Sequence, residues 1–263
     1  MKLILASIQD PAAKNIAARL LELYDFKKSL TLPNTHVYGN VALMTITGGV
    51  TKIVEPPIDA EEVIVASRHA SESGRPTLTV HVPGEVEKAE LAEASPLTVK
   101  TALRALVRMS DEIGLSYDVS LEATHHGPTR LDVPVTFVEI GSSLGQWRDE
   151  KAGEVVARAI MAAATSTVEC RRAVGIGGPH YAPRHTDVTL HTDVGIGHIL
   201  PKYVNLDEAL LERAIVRTRG GIELLALDWK GMSRGQRQIS QRVANRLGIQ
   251  VMHTQKILDH AKV

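Results

Sequence analysis

The sequence predicts an α/β protein of three layers, with helices on both sides of a mixed, mostly parallel sheet. Three observations predict it. Apolar β-type runs alternate with amphipathic helical stretches along most of the 263 residues. Several of these runs, such as VTFVEI (135–140), are apolar at nearly every position, as strands covered on both faces are. No internal repeat, low-complexity tract or long linker interrupts the alternation, so the chain reads as one domain over 1–263, long enough to bury a substantial core.

Taken in order, KLILASI (2–8) is a first buried strand, and Asp10 with Pro11 supplies an N-cap and a first-turn proline for a helix to about Leu23. HVYGNVALMTIT (36–47) is β-rich and turns at Tyr38-Gly39-Asn40; EVIVAS (62–67) and TLTVHV (77–82) are short β-branched runs. Ser95-Pro96 opens a long helix with Val99, Ala102, Leu106, Met109 and Ile113 at helical spacing and Gly114 as its stop. YDVSLEAT (117–124) alternates as a strand does. A helix is expected from Asp149 to Ala164, a strand at RAVGIG (172–177), a helix over 206–218 and a strand at IELLALDW (222–229). A last helix spans 233–247, with Ile239, Val243 and Leu247 as its buried stripe.

Composition narrows the functional classes. With 44% hydrophobic and 23% charged residues the chain is an ordinary globular one, and its formal charge of zero leaves any nucleic-acid binding to a local patch. The single cysteine, Cys170, cannot form an intramolecular disulfide, which fits a cytoplasmic protein; it reads as a small packing residue. The N-terminal apolar run is too short for a signal sequence, and no window approaches the roughly 20 apolar residues of a membrane helix. One segment is locally basic: 229–258 has no carboxylate but contains Lys230, Arg234, Arg237, Arg242, Arg246 and Lys256. Such a face positions RNA phosphates or is simply solvated, and an aromatic content of 3% argues against a base-stacking platform.

Polar residues collect where strands end. Arg68-His69, His125-His126, Gly141-Ser142-Ser143, Gly178-Pro179-His180 and Asp228-Trp229-Lys230 each follow a predicted strand, and parallel strands would set all five on one rim. The Gly127-Pro128 and Gly178-Pro179 pairs would present backbone groups rigidly to a ligand, or merely punctuate loops. His69, His125, His126 and His180 come from three separate loops and could give a catalytic zinc its three protein ligands. Adjacent residues on a strand point to opposite faces, so His125 and His126 can share a metal only if the chain bends there. Glu122 and Glu139 are candidates for general base or ligand, or for pairing with Arg130 or Arg184. Ser142 and Ser143 lack the elbow of a serine nucleophile and suit helix capping better.

These motifs together resemble a known family. SRHASESGRPTLTVH (67–81), LEATHHGPT (121–129), FVEIGSS (137–143), GIGGPHYAPR (175–184) and GHILPKY (197–203) are similar to the D-aminoacyl-tRNA deacylases of the archaeal and plant type. The resemblance implies a phosphorylase/hydrolase-like α/β fold, a zinc cofactor, and hydrolysis of the ester between a D-amino acid and tRNA. Where the family usually turns through glycine-asparagine after LTVH, this chain has Pro83-Gly84-Glu85. On that basis His125, His126 and Glu139 are the expected catalytic residues, and His69, His125, His126 and His180 the expected metal ligands. Gly127, Pro128, Thr129, Gly177, Gly178, Pro179, Tyr181 and Arg184 would hold the aminoacyl group, and Lys230, Arg234, Arg237 and Arg242 the tRNA. The expected partner is the acceptor end of D-aminoacyl-tRNA, with no DNA and no membrane, met by a monomer. Two other readings share parts of this pattern: a zinc peptidase or amidohydrolase would need the histidines but no basic face. A non-catalytic RNA-binding protein with structural zinc would need the basic face but no open coordination position.

Overall fold

The computed structural model describes residues 1–261. Its strands are β1 (Lys2–Ser7), β2 (Lys27–Lys28), β3 (Thr35–Tyr38), β4 (Val41–Ile46), β5 (Glu62–Ala70), β6 (Thr77–His81), β7 (Gly84–Glu85), β8 (Glu90–Leu91), β9 (Asp118–Leu121), β10 (Val135–Ser142), β11 (Arg171–Ile176), β12 (Val194–Leu200), β13 (Leu224–Leu227) and β14 (Gln250–His253). Its α-helices are α1 (Pro11–Leu23), α2 (Pro96–Ile113), α3 (Leu144–Trp147), α4 (Glu150–Thr165), α5 (Pro183–His191), α6 (Glu208–Val216), α7 (Arg234–Leu247) and α8 (Thr254–His260).

Local signals set the helix ends. The Asp10 carboxylate accepts the N–H groups of Ala12 and Ala13, Ser95 accepts that of Thr98, and Gly114 ends α2 in the left-handed conformation. Ser143 starts α3 in a capping box with Gln146, as expected; Ser142 instead stays in β10 and donates to the Arg75 carbonyl at 2.6 Å. Helix α4 is rich in alanine and lies close to α1, where Asn15 reaches across to the carbonyls of Trp147 and Asp149 and fills the space a side chain at Gly153 would need.

The strands form two principal sheets rather than one. The larger has the order β2-β3-β4-β1-β5-β10-β6-β9; β4, β1, β5 and β10 are parallel, β6 runs against β10, and β9 is parallel to β6. The smaller, β12-β11-β13-β14, is wholly parallel. Strands β12 and β14 and helices α5 and α8 were not expected. VGIGHIL has glycine at alternate positions, and only pairing with β11 makes it a strand. Apolar β11 and β13 look continuous in sequence but divide by face: Ala173, Leu224 and Ala226 join the main core with α1, α2 and α4, whereas Val174, Ile176, Leu225 and Leu227 pack with α6 and α7.

Two corrections follow from this topology. The β9 direction is opposite to that of β10, and β11 and β13 belong to another sheet, so the five polar groups do not share a rim. Strand β5 also continues past Ser67, which places His69 within it, opposite Gly141. Of the expected α7 stripe, Val243 is buried and Ile239 packs half-buried against the second core, but Leu247 is 46% exposed; Gln236, Ser240 and Ala244 complete the buried face. Gln236 is drawn inside because its amide nitrogen donates to the carbonyls of Pro201 and Val204.

The segment after β9 ties the two sheets together. Thr124 N–H donates to Ile199 O at 2.9 Å and its hydroxyl accepts Ile199 N–H at 3.1 Å, while that hydroxyl donates to His198 Nδ1 at 3.2 Å. His198 Nε2–H donates to Ala92 O, and His185 Nε2–H to Gly177 O. Burial of both rings holds each pKa down at about 4. Because each imidazole binds a proton in the unfolded chain below about 6.5 but resists it when folded, their contribution to stability is complete above pH 6.5 and lost as pH falls towards 4. Each contributes up to roughly 3 kcal/mol. The thermal midpoint should therefore drop steadily on acidification through that window, and a midpoint flat from pH 7 to 4.5 in scanning calorimetry would contradict it.

Candidate active site

A polar stripe runs across one face of the larger sheet at the β5-β10-β6 junction. Register sets Ser67 opposite Glu139 and Glu139 opposite Thr79; His69 and Thr77 flank Gly141, and His81 lies opposite Phe137. Period-2 alternation points all of them one way, with apolar Val65, Leu78, Val80 and Val138 as their neighbours. Glu122–His126, just after β9, and Gly177–Ala182, between β11 and α5, meet this face. Glu122 N–H bonds Val80 O, and Ala123 N–H bonds His180 O.

Glu122 lies at the centre and is 1% exposed. Its Oε2 accepts from His180 Nε2 at 2.9 Å and is 3.6 Å from His125 Nε2; its Oε1 is 3.2 Å from His69 Nδ1, near but not aligned as a hydrogen bond. Tyrosines extend the array on two sides: Tyr181 Oη lies 2.8 Å from His69 Nε2, and Tyr203 Oη 3.2 Å from His180 Nδ1. Glu139, equally buried, is 3.8 Å from His69 and 3.9 Å from His81. The two carboxyls differ in charge. Burial alone would raise both, but the His180 hydrogen bond and the nearby His69 and His125 bring Glu122 below the ordinary range, whereas burial and the Glu122 charge push Glu139 well above it. The two shifts run in opposite directions, Glu122 towards the acceptor form and Glu139 towards the protonated one.

Three histidines form a second group beside it. Ring centroids of His81 and His125 are 4.2 Å apart, and those of His125 and His126 4.4 Å. Adjacent residues converge because His126 adopts φ +41°, a left-handed conformation, immediately before a cis Gly127-Pro128 bond; Gly178-Pro179 is trans. The Ala123 carbonyl takes the His125 Nδ1 proton at 2.8 Å and the Gly127 carbonyl that of His126 at 2.6 Å, which leaves each Nε2 with a free lone pair. Burial lowers the pKa of His69 and His126, that of His125 to about 4, and that of His81 further, with neighbouring imidazoles adding to the His81 shift. All are neutral at pH 7, the form that binds metal.

Donor atoms fall into three groups, each within 4.8 Å: His81, His125 and His126; Glu122, His125 and His180; and His69, Glu122 and Glu139. The four histidines expected as ligands are thus gathered in one place but not in one group. His81 was missed. It is 1% exposed with neither ring nitrogen partnered, an arrangement costly in a core unless something binds there. Its signal was the polar alternation Thr77, Thr79, His81 in an otherwise apolar strand. Three imidazoles are also a donor set that suits catalytic zinc, so the residues present fit the ion that the resemblance implies. Glu122 and Glu139 pair with histidines rather than with Arg130 or Arg184.

Other expected residues lie further out. Gly127 and Pro128 are buried beneath the histidines; Thr129 turns away and donates to Glu90. Gly177 and Gly178 have positive φ and spend their N–H groups on Leu200 O and Gly231 O, so they shape the loop that carries His180 and Tyr181 and have no donor left for a ligand. Arg184 is exposed beside Asp187, 3.9 Å away. In the basic segment, Arg242 pairs with Glu208 of α6 at 2.9 Å, as does Arg246, so part of the expected cationic surface is neutralised by a neighbouring helix. Arg237 is held over the Trp229 ring. Lys230 and Arg234 are exposed and make no ion pair among the described residues. Cys170 is buried away from the site, under Gly195.

Residues 56–252 match the family model described as D-aminoacyl-tRNA deacylase. That span includes every residue of the histidine and carboxylate cluster. The chain belongs to the D-aminoacyl-tRNA deacylase family. A deacylase of this name from Pyrococcus furiosus is 38% identical over 95% of this chain and 98% of its own length, and one from Thermococcus kodakarensis is 38% identical with the same coverage. One from Methanosarcina acetivorans is 36% identical over 97% of this chain and 92% of its own. The crystal structure of a conserved protein of unknown function, 31% identical, superposes with a TM-score of 0.91 over 98% of this chain and 97% of that one. Its agreement spans both sheets of the α/β fold. No helix among the described residues is long and apolar enough to cross a membrane.

Proposed function

We propose that this protein hydrolyses the ester joining a D-amino acid to the acceptor end of tRNA, releasing both. The observation that carries the reading is the buried Glu122 carboxylate, ringed by His69, His125 and His180, in a chain of this family. His81, His125 and His126 would hold a zinc ion, which when bound supplies a Lewis acid that makes water a better nucleophile near neutral pH. Glu122 takes the proton from the attacking water, and His180, held on its Oε2 and backed by Tyr203, orients it and shares the charge. Water oxygen adds to the ester carbonyl carbon, the bond to the ribose oxygen breaks, and a proton passes to that oxygen. Glu139, kept neutral, stands as a proton-bearing carboxyl on the floor of the site; two carboxyls with opposed pKa shifts divide acceptor and donor roles. Lys230 and Arg234, with Arg237, are the basic-segment residues left to contact RNA phosphates.

The test is hydrolysis of D- and L-tyrosyl-tRNA with and without a chelator. The D ester should be cleaved, the L ester spared, and the chelator should abolish turnover while the circular dichroism spectrum is retained. Equal cleavage of both esters would favour a general esterase, and full activity in metal-free protein would remove zinc from the reading.

A further inference from the structure

We infer that the cavity beside Tyr181 receives the side chain of the D-aminoacyl group, and that it is built for large side chains, aromatic ones included. The assignment rests on the deacylase reading. The cavity holds about 390 Å³, within the roughly 300–1,000 Å³ of small-molecule sites, and lies where β6 and the edge strand β9 meet the start of α5. Tyr181 is one of its walls, and the same ring's hydroxyl is 2.8 Å from His69, so a single side chain separates the cavity from the reacting cluster. Thr77, at the start of the polar stripe that ends in His81, is another wall.

The lining suits an apolar group with a polar tip. Pro179, Tyr181 and Pro183 supply flat, rigid surface, and the mouth carries Arg75 and Asp118, 3.7 Å apart. The walls are fixed before binding: the Thr186 hydroxyl accepts Leu121 N–H at 3.0 Å, tying α5 to β9, so little ordering cost falls on the ligand. A second cavity, of about 410 Å³, borders the cluster through His125 and His126 instead. Its rim is charged, with Glu85, Glu87 and Lys88, and Tyr203 beside it is 60% exposed. Charge and an open aromatic face fit the ribose and base of the RNA terminus, since every base can stack on such a ring. With the ester carbonyl at the cluster, the apolar cavity is the one left for the amino-acid side chain.

Filling the cavity should change which side chains are accepted. Ser120 pairs with Thr79 and therefore points to the same face, into the cavity, while Asp118 is exposed at the mouth and tolerates replacement without threatening the fold. In Ser120→Phe, and independently in Asp118→Phe, the ratio of kcat/KM for D-tyrosyl-tRNA to that for D-alanyl-tRNA should fall at least about tenfold, the scale of a blocked side-chain pocket. Val86→Trp, in the other cavity, should leave that ratio at the wild-type value. An unchanged ratio in both phenylalanine variants would overturn the assignment, as would a ratio that falls in Val86→Trp instead. Wild-type protein that cleaves neither ester would sink the deacylase reading itself, and this assignment with it.

Discussion

Replacing His125 with alanine is expected to lower kcat/KM for D-aminoacyl-tRNA hydrolysis at least about 100-fold with the fold retained. His125 stands in two donor groups at once, with His81 and His126 and with Glu122 and His180. Its Nδ1 is committed to the Ala123 carbonyl, so only Nε2 is available for the chemistry, and that nitrogen is 3.6 Å from the central carboxylate. The ring is not part of the apolar core and is partly exposed, so water can take its place against the Ala123 carbonyl and its loss should cost little stability. Zinc content separates the possible outcomes. A variant that loses both metal and activity places His125 among the ligands, whereas one that keeps metal but not activity makes it a proton carrier. Wild-type turnover in His125→Ala would remove it from the mechanism altogether.

Gly127→Ala should be nearly as damaging, for a different reason. A Cβ at Gly127 would meet the main-chain carbonyl oxygen of Thr51, which belongs to a backbone turn and cannot rotate aside as a flexible side chain could. The loop must move, and it carries His125 and His126. A displacement near 1 Å of positioned groups costs about 100-fold in rate, and the overpacking itself about 1–3 kcal/mol. Gly145→Ala is the control, since a Cβ there meets nothing within 4 Å and the residue sits in the short helix α3. Thermal denaturation and kcat/KM on the same preparations decide the matter: if Gly127→Ala matches Gly145→Ala in both, the loop has more freedom than its contacts imply.

Much of the site was legible because its residues stand in compact motifs. HHGPT placed His125, His126 and the Gly127-Pro128 bend together, and GGPHY placed His180 and Tyr181. What the sequence could not give was which histidines share a partner. His69 and His180 are far apart in the chain and meet through Glu122, whose own role depends on lying where β9 ends beside β6. His81 was hidden in a strand that reads as ordinary β structure until its register with β10 puts it against Phe137 and near Glu139.

The basic segment shows the opposite case. Its lack of carboxylates is a true property of the sequence, yet Glu208 and Glu212 of α6 come to lie against Arg242 and Arg246 and cancel part of its charge. A count along the chain cannot see a partner from another helix.

By itself, then, the sequence determined what local physics controls: the helix starts at Asp10, Ser95, Asp149 and Ser233, where a side chain caps its own helix, the buried parallel strands, and the family to which the motifs point. Only the tertiary structure decided that the strands divide between two sheets and that His81 faces the cluster. It also decided that Glu122 and Glu139, two glutamates alike in sequence, are shifted in opposite directions. Those outcomes depend on desolvation and on charges brought together from distant parts of the chain, and both exist only once the sheets have packed.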